Sequence, residues 1–75
     1  MTGRLPALTA REIIKALERF GFERHHQTGS HVMLRSRMHR RKAVVPVHRG
    51  ALRRSTLFAI IRQAGISVEE LIEVL

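Results

Sequence analysis

Two Ser/Thr-x-x-Glu tetrads frame the chain, Thr9-Ala-Arg-Glu12 near its start and Ser67-Val-Glu-Glu70 near its end. In each, the hydroxyl can accept the backbone N–H three residues on while the glutamate reaches back to the capping residue, so both mark helix N-termini. The first helix is expected to run to about Phe20, with Ile13, Ile14, Leu17 and Phe20 as its apolar stripe and Gly21 as a left-handed stop. Its other face, Arg11, Lys15, Glu18 and Arg19, reads as solvated. The last helix is short, with Val68, Leu71, Ile72 and Leu75 at i, i+3, i+4 and i+7. A helix ahead of it should begin at Ser55 or Thr56, either of which can cap it. It carries Leu57, Ile60, Ile61 and Ala64 and stops at Gly65.

What lies between Gly21 and Ser55 has the period of strands. Phe22 to Gln27 is a first strand, in which the adjacent His25 and His26 should point to opposite faces and so make no joint metal site. After a Thr-Gly-Ser turn, Val32 and Leu34 alternate with His31, Met33 and Arg35 in a second strand from Ser30 to about Ser36. The third, Lys42 to His48, is apolar on both faces from Ala43 to Val47, so either face could be the core face. Pro46 cannot donate to a ladder and belongs at an edge or on an unpaired side. The connection at 37–41 has no Gly, Pro or Asp and reads as an exposed basic tip. Short connections require an antiparallel meander, and the helix stripes must cover one of its faces. The expected fold is α+β, an α-β-β-β-α(-α) order like that of a double-stranded-RNA-binding domain, as one domain over 1–75.

Charge gives the first functional signal. Every acidic residue lies in one of two groups, Glu12, Glu18 and Glu23 or Glu69, Glu70 and Glu73. From Arg24 to Val68 there is none, against ten cations of which nine are arginine. A segment of this kind faces a polyanion or an acidic protein, and arginine favours bidentate phosphate contacts. The blander reading is a solvated basic surface. The absence of cysteine excludes disulfides, thiolate zinc sites and a cysteine nucleophile. No apolar run approaches the ~18 residues of a membrane span, and Met1-Thr-Gly-Arg-Leu-Pro lacks the hydrophobic segment of a signal peptide, so a cytoplasmic protein with no membrane partner is expected.

His31 is the candidate for chemistry: just past a glycine turn, at the rigid start of a strand and pointing away from Val32 and Leu34. That is also an ordinary place for a solvated histidine. The chain nevertheless resembles the HicA (YcfA-like) toxin family. The matching pieces are Leu-Thr-Ala-Arg-Glu-Ile-Ile-Lys-Ala-Leu at 8–17, Gly21-Phe22, Gln27-Thr28-Gly29-Ser30-His31, Val45-Pro46-Val47-His48, Thr56-Leu57 and Ile61-Arg62-Gln63-Ala64-Gly65-Ile66, in the family's order over almost the whole chain. The resemblance implies a messenger-RNA interferase with a double-stranded-RNA-binding-like fold, neutralised by a HicB-like antitoxin, whose catalytic histidine is His31. The family usually has a glycine where this chain has Ser55, and often a basic residue where it has Phe58, which would then either weaken a phosphate contact or join the core.

The chemistry is coherent without a metal or other cofactor. RNA can be cut by its own 2′-hydroxyl attacking the adjacent phosphate, which needs a base, an acid and cations for the developing charge. Imidazole, with a reference pKa near ~6.5, suits both proton tasks. His31 is cast as general base and His48 as a possible second proton carrier. Gly29, Ser30, Arg24, Arg35, Arg37, Arg40, Arg41, Lys42 and Arg49 are the candidate RNA contacts, with Arg24 and Arg35 as candidates for holding phosphate during the reaction. The central segment has no carboxylate for magnesium, and the five histidines show no ligand spacing such as His-x3-His, so no metal site is expected. Two other readings use the same basic surface, a non-catalytic RNA-binding module and a DNA-binding module with the second helix in a major groove. The latter has few candidate outward positions, Arg62 and Gln63 among them. For a toxin of net charge +8, the antitoxin should present acidic surface and cover His31 or its arginines.

Overall fold

The computed structural model describes residues 5–75; residues 1–4, the start of the short leader that runs through Pro6 and Ala7, lie outside the described residues. The elements are α1 (Ala10–Arg19), β1 (Glu23–Thr28), β2 (His31–Ser36), β3 (Arg41–Pro46), α2 (Arg54–Ala64) and α3 (Val68–Glu73). The strands form one antiparallel sheet in the order β1-β2-β3. The strands expected from the sequence are all present. Observed limits differ from the expected ones by at most two residues, and β2 ends at Ser36 as expected.

Both capping boxes form. The backbone N–H of Glu12 donates to Thr9 Oγ1 (3.2 Å) and that of Thr9 to Glu12 Oε1 (2.9 Å); the Ser67–Glu70 pair repeats the arrangement at 3.0 and 2.8 Å. α2 departs from expectation. It starts two or three residues earlier than a Ser55 or Thr56 cap would allow, with Arg53 in the capping position and no side-chain cap bond. The chain is held there instead by the leader. Arg54 Nη1 donates to the Leu5 carbonyl (2.6 Å), Leu52 N–H donates to the Leu8 carbonyl (2.8 Å), and Thr9 and Ala51 form a bridge. These contacts set where the helix begins and leave Ser55 and Thr56 inside its first turn.

One face of the sheet is the core face. Val32 and Leu34 of β2 and Ala43 and Val45 of β3 are buried there with Ile13, Ile14 and Leu17 of α1, Leu57, Ile60, Ile61 and Ala64 of α2, and Leu71 of α3. This resolves the third strand's two apolar faces, since Ala43 and Val45 point in while Val44 and Pro46 are half-buried on the open side. Burial of this set is the main stabilisation, and a Leu→Ala change within it costs about 2–5 kcal/mol. Phe58 does not join the core. It is 40% exposed on α2, with the Arg54 guanidinium 5.4 Å from its ring centre.

The two edges of the sheet are managed differently. At β3, the outward Val44 N–H donates to Gln63 Oε1 of α2 (2.9 Å), and Pro46 has no N–H to offer, so α2 and a proline together blunt this edge. β1 is exposed at all six positions and contributes nothing to the core. Its pairing slips by one residue between Arg24 and His26, a bulge that leaves His25 without a partner in the register and sets His26 beside Met33.

Candidate nucleic-acid interface and active site

The β1–β2 turn has two residues, Gly29 and Ser30, between the paired Thr28 and His31. Gly29 has φ +52° and Ser30 does not share the positive φ, the pattern of a type II′ hairpin, which calls for glycine at its first position. His31 is thus the first paired residue of the central strand, tied to Thr28 on one side and Pro46 on the other. Its neighbours Val32 and Leu34 are sunk in the core, so the backbone under it is held, while its side chain is exposed on the open face. Among the described residues no hydrogen bond restrains the imidazole.

His48 comes to the same end of the sheet. The Val47 N–H donates to the Ser30 carbonyl (2.5 Å), which carries the β2–β3 pairing one step beyond Pro46, next to both histidines in sequence. His48 borders a hollow with Pro46, Arg53 and Thr56, so Pro46 lies beside His31 across the strands and beside His48 along the chain. Arg49 follows it in the exposed loop that turns at Gly50 (φ +77°).

The candidate cations divide between two faces. Arg35 follows His31 and Met33 on the open face, with Lys42 directly across from it on β3. Arg37 and Arg40, in the turn between β2 and β3, border the same shallow recess as Arg35 and Lys42. This turn, without glycine, puts Arg40 itself at φ +53°. Arg24 stands opposite Leu34, on the core side of the sheet, and its Nε lies 3.9 Å from Glu18 of α1. Arg41 stands opposite the buried Ser36 and lies over the C-terminus of α2. A Cβ placed on Gly65 would come within 2.5–2.8 Å of its side chain. Arg41 therefore does not sit with Arg35 on the open face, whereas Arg24, though opposite Leu34, borders a small hollow at the edge of β1 with Glu23, Arg35 and Arg37.

Arg54, which the sequence offered only as one more cation, is a clamp for the leader. Its partner there is a backbone carbonyl distant in sequence, so no local pattern announces it. Ser36, buried to 1% exposure, accepts the His39 N–H at 3.3 Å and anchors the base of the basic turn. Among the described residues no three histidine or carboxylate side chains cluster as metal ligands would, and no helix is long and apolar enough to cross a membrane.

The open face can therefore do two things. It presents an exposed imidazole at a strand end, with His48 in the chain that leaves the same end of the sheet, and it presents a block of cations further along the same strands. No curated protein matches the sequence. A family model described as the HicA toxin of bacterial toxin–antitoxin systems matches residues 10–66, from the first residue of α1 to just beyond α2. With well over half of its length covered, the chain belongs to the HicA toxin family, and so to the toxins that act opposite an antitoxin partner.

Proposed function

We propose that the chain is an endoribonuclease that cuts RNA without a metal, with His31 as its catalytic residue. The observation that carries this reading is the placement of His31, an exposed imidazole on the first paired residue of the central strand, backed by buried neighbours and facing the side of the sheet that no helix covers. Family membership supports the toxin role, and the acid-free basic segment supports an RNA substrate.

The reaction needs few parts. His31 accepts the proton of a ribose 2′-hydroxyl as its oxygen attacks the adjacent phosphorus; the bond from phosphorus to the 5′-oxygen breaks, and that oxygen takes a proton from an acid. The products are a 2′,3′-cyclic phosphate and a free 5′-hydroxyl. His48, at the same end of the sheet, is the candidate to give the second proton. Arginine side chains offset the charge that develops on the phosphoryl oxygens, and Arg49, just past His48, is nearer this end than Arg35. The antitoxin's acidic surface covers this face, which would block substrate and steer association through the toxin's charge.

The test is incubation of the protein with RNA in EDTA beside a His31→Ala variant shown to be folded. Cleavage by the wild type alone, leaving cyclic phosphate ends, is expected. Equal cleavage by both would remove His31 from the chemistry. Binding without cleavage by either would make the chain an RNA-binding module of the same fold.

A further inference from the structure

The recess at the far end of the open face has a role distinct from the chemistry. We propose that Arg35 and Lys42, with Arg37 and Arg40 beside them, form a subsite for an RNA backbone phosphate that lies several nucleotides from the bond cut at His31. The inference rests on the ribonuclease reading for the position of the cut. The subsite itself rests on the arrangement of these cations.

Arg35 and Lys42 are direct cross-strand neighbours on the open face. Like charges in that relation repel, and the usual remedy is an acidic neighbour. Glu23 is the residue across from Arg35 on the other side and borders a hollow with Arg35 and Arg37, but among the described residues it makes no ion pair with them within 4.0 Å, so one carboxylate stands near four cations without closing on any of them. Arg37 and Arg40 add two more cations to the same recess. Four cations with one neighbouring carboxylate, and that one not ion-paired to them, keep an excess of positive charge that a phosphate would stabilise, and guanidinium favours it through paired N–H donors.

The spacing rules out the phosphate under attack. His31 and Arg35 are four residues apart on one straight strand, roughly 13 Å at ~3.3–3.4 Å per residue. Side chains standing upright from the sheet at that spacing would not share one phosphate. In a stacked strand, with ~3.4 Å between successive charges, that distance spans about four nucleotides, and fewer if the strand is drawn out. Between the two ends lie Met33 and Val44, half-buried cross-strand partners with no charge. An RNA strand running along β2 would cross this apolar step with its bases or sugars and place its next phosphates among the cations. The Arg35–Lys42 pair would then set how long a substrate must be.

Two oligonucleotides separate the sites. A dinucleotide has one phosphate and reaches only His31, whereas an octanucleotide reaches both. For the wild type, kcat/KM should be greater for the octanucleotide, and in Arg35→Ala/Lys42→Ala the ratio of the two should fall towards one. Binding of a 2′-O-methyl octanucleotide, which cannot be cut, gives a second reading that holds even if the wild type cleaves nothing. Loss of two phosphate contacts makes the slope of log affinity against log salt shallower by ~1.4. Arg11→Ala/Lys15→Ala removes the same charge from the outer face of α1 and should leave that slope as it is. A wild-type length ratio kept by the Arg35/Lys42 variant, or an equal change of slope in the α1 variant, would overturn the subsite. Absence of cleavage by the wild type, with the slope change intact, would overturn the ribonuclease reading alone.

Discussion

Gly65→Ala tests whether Arg41 belongs to the fold or to the RNA surface. Gly65 closes α2 at φ +74°, where an L residue is strained by about 1–2 kcal/mol. The added Cβ would also meet Arg41 Nε, Cζ and Cδ at 2.5, 2.7 and 2.8 Å, closer than such contacts occur, so the guanidinium must move. Because that side chain is flexible, the second cost is its displacement from the negative end of the α2 dipole, about 0.3–1 kcal/mol. The sum is about 1.3–3 kcal/mol, within a total stability of about 4–11 kcal/mol for a chain of this length. The assay is urea unfolding of the wild type, Gly65→Ala, Arg41→Ala and the double variant. In the Arg41→Ala background the contact is gone and Gly65→Ala should cost only its backbone strain, giving a coupling of about 0.3–1 kcal/mol between the positions. Equal costs of Gly65→Ala in both backgrounds would refute the packing of Arg41 on the helix end.

Other perturbations address other parts of the structure. Gly29→Ala meets nothing within 4 Å, so it should cost the left-handed strain alone, about 1–2 kcal/mol, read as a fall in Tm of roughly 4–16 °C. Leu57→Ala, at a fully buried position of α2, should cost about 2–5 kcal/mol in the same melts; a loss under 1 kcal/mol would contradict its place in the core. Gln63→Ala frees the Val44 N–H at the edge of β3. It should cost about 0.5–1.5 kcal/mol and promote concentration-dependent association, visible by light scattering, and an unchanged monomer would show that the glutamine does not guard the edge.

The fold was legible wherever one local rule decided an element. Thr9 and Ser67 capped their helices because a hydroxyl and a glutamate three residues apart satisfy the end of a helix by themselves. Val32 and Leu34 took the core face because their alternation has one apolar side. The third strand had two, and only the position of α2 over it chose Ala43 and Val45. The start of α2 was misread for a related reason. Ser55 and Thr56 are good caps, but the Arg54–Leu5 and Leu52–Leu8 bonds, between segments more than forty residues apart, began the helix before them. The bulge at His25 has no sequence signal of its own, since a polar strand exposed on both faces tolerates either register.

The arginines show what charge alone can say about a surface. Counted along the sequence they form one block, which is the basis for expecting a polyanionic or acidic partner. Placed in space they separate by the parity of the strands and by what lies within reach. Arg24, one residue from the bulge, turns towards Glu18; Arg41 turns under the C-terminus of α2; Arg54 reaches the leader and Phe58. Each of these is already engaged with the protein's own carboxylate, helix dipole, carbonyl or ring. Arg35, Arg37, Arg40 and Lys42 have no such partner among the described residues and converge on one recess. Net charge therefore overstates the surface available to a phosphate chain, and the pairing register identifies the part that remains. By the same parity, His31 shares that face with Arg35 and Lys42, so a strand of RNA drawn to the cations would already lie along the line that leads to the imidazole.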